Sequence, residues 1–368
     1  MREKESITRG QVFVLTLQTQ IGIGILSLPH DVQEFAKGDG WLSVLLAGAA
    51  VQLIITIYWL LSKLYPKDTI FKIPERIFGK FAGKLFSVLY TFYFLLVANL
   101  ILILFGRIIQ RWVFPMTPSW IILLLFIGIC SYLAYEDIHI IARFYSFSFI
   151  LAVLLLFMVL PALNFVDYRF ILPVGQSGIT GIAKGINSSI IAMIGFEILL
   201  LALPMMKTKR KAYRVLLAGN LFVTLLYTFV VLIALMTFSP KEIEIIPEPV
   251  LYMLKAFEFK IIDRIDLLFL TVWIVSAATS FISYLYSSSV GLASLLHTQG
   301  HQKMVYVSWI PLIIYMFLPD DLISIDSYSN FLEKASYLFV LVIPTFLLIS
   351  GLVKAKMMKK KGGGRYEV

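Results

Sequence analysis

Glu197 is the residue in this chain whose chemistry is hardest to ignore. It follows the apolar run Ile190 to Phe196 and precedes another from Ile198 to Leu203, so a carboxyl group sits deep in a stretch that reads as a membrane span. An ionised acid at the centre of such a span costs about 2.5–3.5 kcal/mol on insertion scales, so it needs a partner or a proton. Three roles fit: contact with a substrate ammonium, proton carriage, or capping and hydrogen bonding within the helix bundle. The first two are functional and are the default for an ionisable group at this depth.

The same span is interrupted at Gly195-Phe196-Glu197, and the first apolar span, Gln11 to Phe35, is interrupted about half a chain earlier at Gly22-Ile23-Gly24. Lipid cannot hydrogen-bond a freed amide or carbonyl, so unwound backbone at membrane depth must lie inside protein or against a polar cavity. Interrupted helices at corresponding places in two halves are the mark of a transporter-type binding site. Amides freed around Gly22, Ile23, Gly24 and Ile25 could meet a carboxylate at the positive end of the following half-helix. Close helix packing through small residues is the competing role for these glycines.

Other polar groups at plausible depth are Tyr93 and Asn99 in a third span and Thr279, Ser280, Ser283 and Tyr284 in an eighth. A lone hydroxyl can simply bond its own helix, but the run from Ser276 to Ser289 is denser than that requires. One polar face is expected to meet a cavity or a partner span.

Composition sets the class that must position these residues. Of 368 residues, 59% are hydrophobic and 15% charged, with mean hydropathy +0.87, which describes an all-α polytopic membrane protein. A hydrocarbon layer about 30 Å thick needs about 20 apolar residues per helix. Ten candidate spans centre near Ile23, Leu53, Leu95, Phe126, Leu151, Ile194, Thr228, Ser280, Pro311 and Val342. The breaks then fall in spans one and six of ten, which predicts a five-plus-five inverted repeat, the first half about 11–165 and the second about 181–354. Residues 1–360 form one integral membrane domain, and 355–368 read as a basic, flexible tail containing Gly362-Gly363-Gly364.

Lysine and arginine set the orientation. Alternate connections carry 22 and 10 of them, and the richer set includes both termini, which places both in the cytoplasm. Met1 to Gly10 lacks the pattern of a removable signal peptide. The net charge of +10 is concentrated in Lys63 to Lys84, Lys207 to Lys211 and Lys354 to Arg365. These clusters flank spans, so contact with anionic lipid explains them better than nucleic acid does. Glu242, Glu244 and Glu248, and Asp320, Asp321 and Asp326, read as solvated outer loops. Short interfacial helices are expected within Val250 to Phe259 and Asp68 to Phe86.

Several chemistries lack their residues. Cys130 is the only cysteine, which excludes an intramolecular disulfide and a cysteine metal cluster, and it reads as a small buried apolar residue. His297 and His301 are spaced as a helical ligand pair would be but have no acidic or cysteine companion, and read as a solvated turn. No phosphate-binding glycine loop, nucleophile elbow or His-Glu-x-x-His pattern occurs, so an enzyme is not expected, nor a metal or other cofactor.

Two motifs carry a family resemblance. Gly22-Ile23-Gly24-Ile25-Leu26-Ser27-Leu28-Pro29 resembles the first-span motif of the amino acid–polyamine–organocation (APC) superfamily. Ile194-Gly195-Phe196-Glu197-Ile198-Leu199-Leu200, with Pro204 and the basic run from Lys207, resembles the B subunits of spore germinant receptors. The resemblance implies a LeuT-like fold in the spore inner membrane, and assembly with a membrane-embedded A subunit and a C-subunit lipoprotein. It also implies that the chain senses a small nutrient germinant, such as an amino acid. The germinant carboxylate would meet backbone around Gly22, Ile23 and Gly24, with Gly195, Phe196 and nearby carbonyls toward its amino end. A proton-coupled amino-acid permease, with Glu197 coupling uptake to protons, is the alternative.

Overall fold

Backbone hydrogen bonding in the first apolar span stops short of a full crossing. Helix α1 (Arg9–Gln20) opens with a capping box, in which Thr8 Oγ1 accepts from the Gln11 amide and Gln11 Oε1 accepts from the Thr8 amide. The helix ends at Ile21, and α2 (Gly24–Ala36) begins beyond the glycines without a side-chain cap. The computed structural model describes residues 6–256, 264–317 and 325–361, which are helical apart from turns and one isolated bridge between Ile7 and Met206.

Helices α3 (Gly40–Leu64), α4 (Ile73–Phe78), α5 (Lys80–Trp112), α6 (Ser119–Ala134) and α7 (Ile138–Val159) complete the first half. The second half opens with α8 (Gly178–Ala192), which bends by 55° into a segment comprising a 3₁₀ turn, α9 (Leu199–Ala202) and a further 3₁₀ turn ending at Met205. There follow α10 (Ala212–Thr237), α11 (Pro240–Ile243), α12 (Pro249–Lys255), α13 (Ile265–Leu296), α14 (Gln302–Val307), α15 (Trp309–Met316), α16 (Ile325–Tyr337) and α17 (Ile343–Lys361). A π-helical turn, Leu338–Val342, joins the last two.

Ten crossings were expected, whereas among the described residues six helical stretches are long and apolar enough to cross a membrane, or seven if the bent pair counts as one. The three that fall short do so for local reasons. The first span is split at Gly22-Ile23, the ninth is split between α14 and α15, and the fourth is α6, whose 16 residues reach only about 24 Å at 1.5 Å per residue. The protein is nonetheless an all-α, multi-pass integral membrane protein.

Contacts at the face that carries the termini tie the two halves together. The Ile7 amide donates to the Met205 carbonyl, and the Lys207 amide to the Ile7 carbonyl, each at 3.0 Å. The basic run from Lys354 begins inside α17, where Lys354 Nζ donates to the Ile77 carbonyl at 3.1 Å. The expected interfacial helix at Asp68 to Phe86 is the short α4. It stops at Gly79 (φ +92°), after which the chain enters α5.

Two loop expectations change. Glu248 is buried, paired with Arg111 at 2.7 Å, and begins α12, whose Val250, Leu251, Met253 and Leu254 are buried in the core. His301 is also buried, with Nε2 3.2 Å from the Ala134 carbonyl and its ring against Tyr286. Residues 257–259 of the amphipathic stretch, together with Asp320, Asp321 and Gly362 to Gly364, lie outside the described residues.

Two outcomes follow from this packing. Gly195 has φ +139°, and a Cβ there would lie 2.3 Å from the Thr19 carbonyl oxygen. G195A therefore adds a clash to backbone strain of about 1–3 kcal/mol and should melt several degrees below wild type. G10A, where a Cβ meets nothing within 4 Å, should match wild type in a thermal-challenge gel-filtration assay. Burial holds the His301 imidazole below the ordinary histidine value. The unfolded chain therefore takes up that proton first, and stability is full above pH about 6.5 and falls as pH drops below it. H301Q should flatten this acid limb of the melting temperature against pH, and an unchanged limb would assign it to other groups.

Candidate functional site

The two breaks face one another. Gly195 lies so close to the end of α1 that only a glycine fits beside Thr19, and Gly24 packs on Ala192 of α8, whose Cα would lie 3.0 Å from an added Cβ. Gly22 faces Ser280, whose Oγ would be 2.6 Å from a Cβ. These three glycines thus set close approach between broken segments and α13.

Carbonyls released at the end of α1 are taken up by side chains of two helices. Thr279 Oγ1 lies 3.0 Å from the Gln18 carbonyl, Ser280 Oγ donates to the Thr19 carbonyl at 2.9 Å, and Trp273 Nε1 donates to the Gly22 carbonyl at 3.3 Å, all from α13. From α10, the Tyr227 hydroxyl donates to the Gln20 carbonyl at 2.7 Å. Ser283 is within 2.9 Å of Thr19 Oγ1 and 2.8 Å of the Tyr145 hydroxyl, which extends the network to α7. Gln18 Oε1 and Gln20 Oε1 are buried in the same turn with no hydrogen-bond partner among the described residues. A buried acceptor left unpaired costs about 1–3 kcal/mol, so both oxygens are ready to receive a donor.

Glu197 organises the second break. Its Oε2 accepts from the Gly195 amide at 2.6 Å, and its Oε1 accepts from the Tyr93 hydroxyl at 2.8 Å and the Tyr284 hydroxyl at 3.1 Å. Three donors from α5, α13 and its own turn thus converge on a carboxyl group that is 1% exposed.

Thus Gly195, Phe196, Glu197 and Tyr93 form one group, and Gly22, Thr279, Ser280 and Ser283 form another at the first break. Ile25 instead lines a small apolar pocket with Ile21, Leu155, Leu226, Val250 and Phe269. Asn99 lies further along α5, buried, with its Oδ1 unpaired among the described residues. Residue type alone does not single out Tyr227, Trp273 and Tyr145, nor Glu333 of α16. Asn187 Nδ2 donates to Glu333 Oε1, and the Tyr337 hydroxyl donates to Asn187 Oδ1. Glu333 lies in the polar first part of the last helical stretch, with Lys334 beside it and Ser327 to Asn330 before it, so the apolar flanks that single out Glu197 are missing there. Gln18-Thr19-Gln20, a polar run separated from Gly22 only by Ile21, is a visible signal for the first break.

The model of a family described as spore germination protein matches residues 6–321, most of the chain. The chain belongs to the spore germination protein family. This germination protein is 25% identical over 352 residues to spore germination protein A2 of Bacillus subtilis (strain 168), covering 94% of this chain and 95% of that one. It is 28% identical over 263 residues to spore germination protein GerQB of Bacillus cereus, covering 71% of this chain and 72% of that one. In three dimensions it resembles Mhp1, a nucleobase-cation-symport-1 family transporter solved in a closed conformation with bromovinylhydantoin bound. The TM-score is 0.61 at 12% identity, covering 97% of this chain and 92% of that one. That likeness concerns the fold, which is related to the LeuT and Mhp1 architecture.

Among the described residues, no group of three or more His, Cys, Asp or Glu side chains could hold a metal ion. The geometry around Glu197 separates two substitutions of this germination protein. Glu197→Gln keeps an acceptor for the tyrosines and loses one bond, costing about 1–2 kcal/mol, whereas Glu197→Leu strands three buried donors at about 1–3 kcal/mol each. Purified E197Q should remain monodisperse with a modestly lowered melting temperature, and E197L should aggregate. Equal behaviour of the two would remove Glu197 from the structural role assigned to it.

Proposed function

We propose that this chain is the nutrient-sensing B subunit of a spore germinant receptor. It would lie in the spore inner membrane with both termini in the cytoplasm. The observation that carries the reading is the meeting of two broken helices at membrane depth, with unpaired buried acceptors at Gln18 and Gln20. A small zwitterion suits that place. Its carboxylate would meet the uncapped first turn of α2 at Gly22, Ile23, Gly24 and Ile25. Its ammonium would meet the glutamine oxygens and the carbonyl-rich turn at Gly195 and Phe196, with Glu197 supplying negative charge behind them. An amino acid has this chemistry. Tyr93, Thr279, Ser280 and Ser283 would hold the walls of the site, and Asn99 would lie along the approach.

Binding would shift the balance between conformers of the chain, and a membrane-embedded A subunit and a C-subunit lipoprotein would read that shift. A permease would instead release its ligand on the far side and work alone. Labelled amino acids and the purified chain in proteoliposomes distinguish the two: saturable binding without concentrative uptake is expected. Accumulation inside vesicles driven by a proton gradient would overturn the receptor reading. In spores, deleting either partner gene should abolish the nutrient response that depends on this chain.

A further inference from the structure

Among the described residues, one turn of the last apolar segment has a different pitch from its neighbours. Leu338–Val342 is π-helical between α16 and α17. A π turn holds an extra residue and loosens the regular carbonyl ladder, and such turns concentrate at functional positions. Two carbonyls of this turn accept hydroxyls from other spans. Tyr90 of α5 donates to the Phe339 carbonyl at 2.9 Å, and Tyr58 of α3 donates to the Val340 carbonyl at 2.7 Å.

The same turn touches the Glu197 site. The Phe339 ring stacks on Tyr93 with centroids 4.7 Å apart and planes within 13°, and Tyr93 donates to Glu197. The Tyr58 ring lies 5.8 Å from that of Phe196. In the other direction the turn leads into α17, which packs on the face carrying the termini. There Phe346 stacks on Phe78 at 5.5 Å, Gly351 lets Leu64 and Tyr65 close in, and Lys354 holds the end of α4.

We propose that this π turn is the element that passes the state of the Glu197 site to the terminal face, with Tyr58 and Tyr90 as its positioning residues. Two discrete arrangements follow from helix geometry. Absorbing the extra residue into α-helical pitch would rotate α17 by about 100° and advance it by about 1.5 Å. The tyrosine hydroxyls favour the π form, because releasing them strands two buried donors. A ligand that competes for Glu197 Oε1 displaces Tyr93, and with it the Phe339 ring, so it biases the turn. If the π turn merely accommodates two bulky side chains, the same substitutions change stability but not the position of α17.

The test uses full-length protein carrying C130A, with spin labels on cysteines replacing Phe81 and Met357, both exposed. Tyr93→Phe, which removes the hydroxyl that donates to Glu197 Oε1, and the Tyr58→Phe/Tyr90→Phe double variant should each populate a second 81–357 distance absent from the parent. One unchanged distance in monodisperse variants overturns the proposal. The single variants Tyr58→Phe and Tyr90→Phe carry the same test if the double variant does not fold. A second arm rests on the receptor reading. In spores, Tyr90→Phe should lower the maximal nutrient response by about fivefold or more, the low end of a coupling between sites, while moving the half-response concentration by less than about twofold. A shift confined to the half-response concentration would make Tyr90 a binding residue and overturn the coupling role. A chain with no part in nutrient response would fail this arm alone, leaving the distance measurement to decide the device.

Discussion

A carbonyl freed inside a bilayer has only protein to bond with, and the arrangement of this molecule follows from meeting that demand at two breaks. Helix α13 does most of it. Trp273, Ser280 and Tyr284 recur at helical spacing on one face, with Thr279 next to it, so one helix serves both breaks. Trp273, Thr279 and Ser280 reach carbonyls of the first break, between Gln18 and Gly22, and Tyr284 reaches Glu197. This explains why the run from Ser276 to Ser289 is so rich in hydroxyls, and why α13 must pack against α1 as well as against α5.

Glu197 applies the same logic with the opposite sign. The first break exposes acceptors and is supplied with donors, whereas the second exposes the Gly195 amide and is supplied with an acceptor that also collects two tyrosines. The capping and functional roles weighed for this acid are therefore not exclusive. A carboxyl group held by three donors keeps a fixed place and a fixed charge distribution, and the neighbouring Gln18 and Gln20 oxygens are left for something else to satisfy. Held that way, Glu197 shapes the electrostatics of the site more than it serves as a mobile ligand. The donors it binds are the route by which any disturbance spreads.

The interruptions themselves were legible because glycine pairs and a buried acid violate the pattern of a membrane helix. The class, the position of the breaks and the polar face of α13 could all be read from residue type and spacing. The partners were harder to read. Tyr58, Tyr90, Tyr145 and Tyr227 look like ordinary aromatics in apolar spans, and only rotation about each helix axis decides which hydroxyl meets which carbonyl. Span number misled for a related reason. Hydropathy counts apolar residues, but a split or a 16-residue helix satisfies the count without forming one continuous crossing. Glu248 and His301 were assigned to solvent because loops are usually wet, yet tertiary packing buries both.

Which residue types do the capping has a mechanical reason. A serine or threonine on a helix reaches its own carbonyl four residues back, as Thr91 does with Ser87 and Thr228 with Thr224. To cap a neighbouring helix it must lie almost in contact, and Ser280 does so only because Gly22 has no side chain in its way. Tyrosine and tryptophan carry their polar group at the end of a rigid apolar body, so they can bond a backbone one helix away while filling the space between. Hence the close junction of α1 and α13 uses small hydroxyls and glycine, while the wider gaps to α10, α3 and α5 use Tyr227, Tyr58 and Tyr90. A phenol tethered across such a gap moves with both helices it joins. The contacts that satisfy the broken backbone are therefore also the ones through which its rearrangement is felt elsewhere.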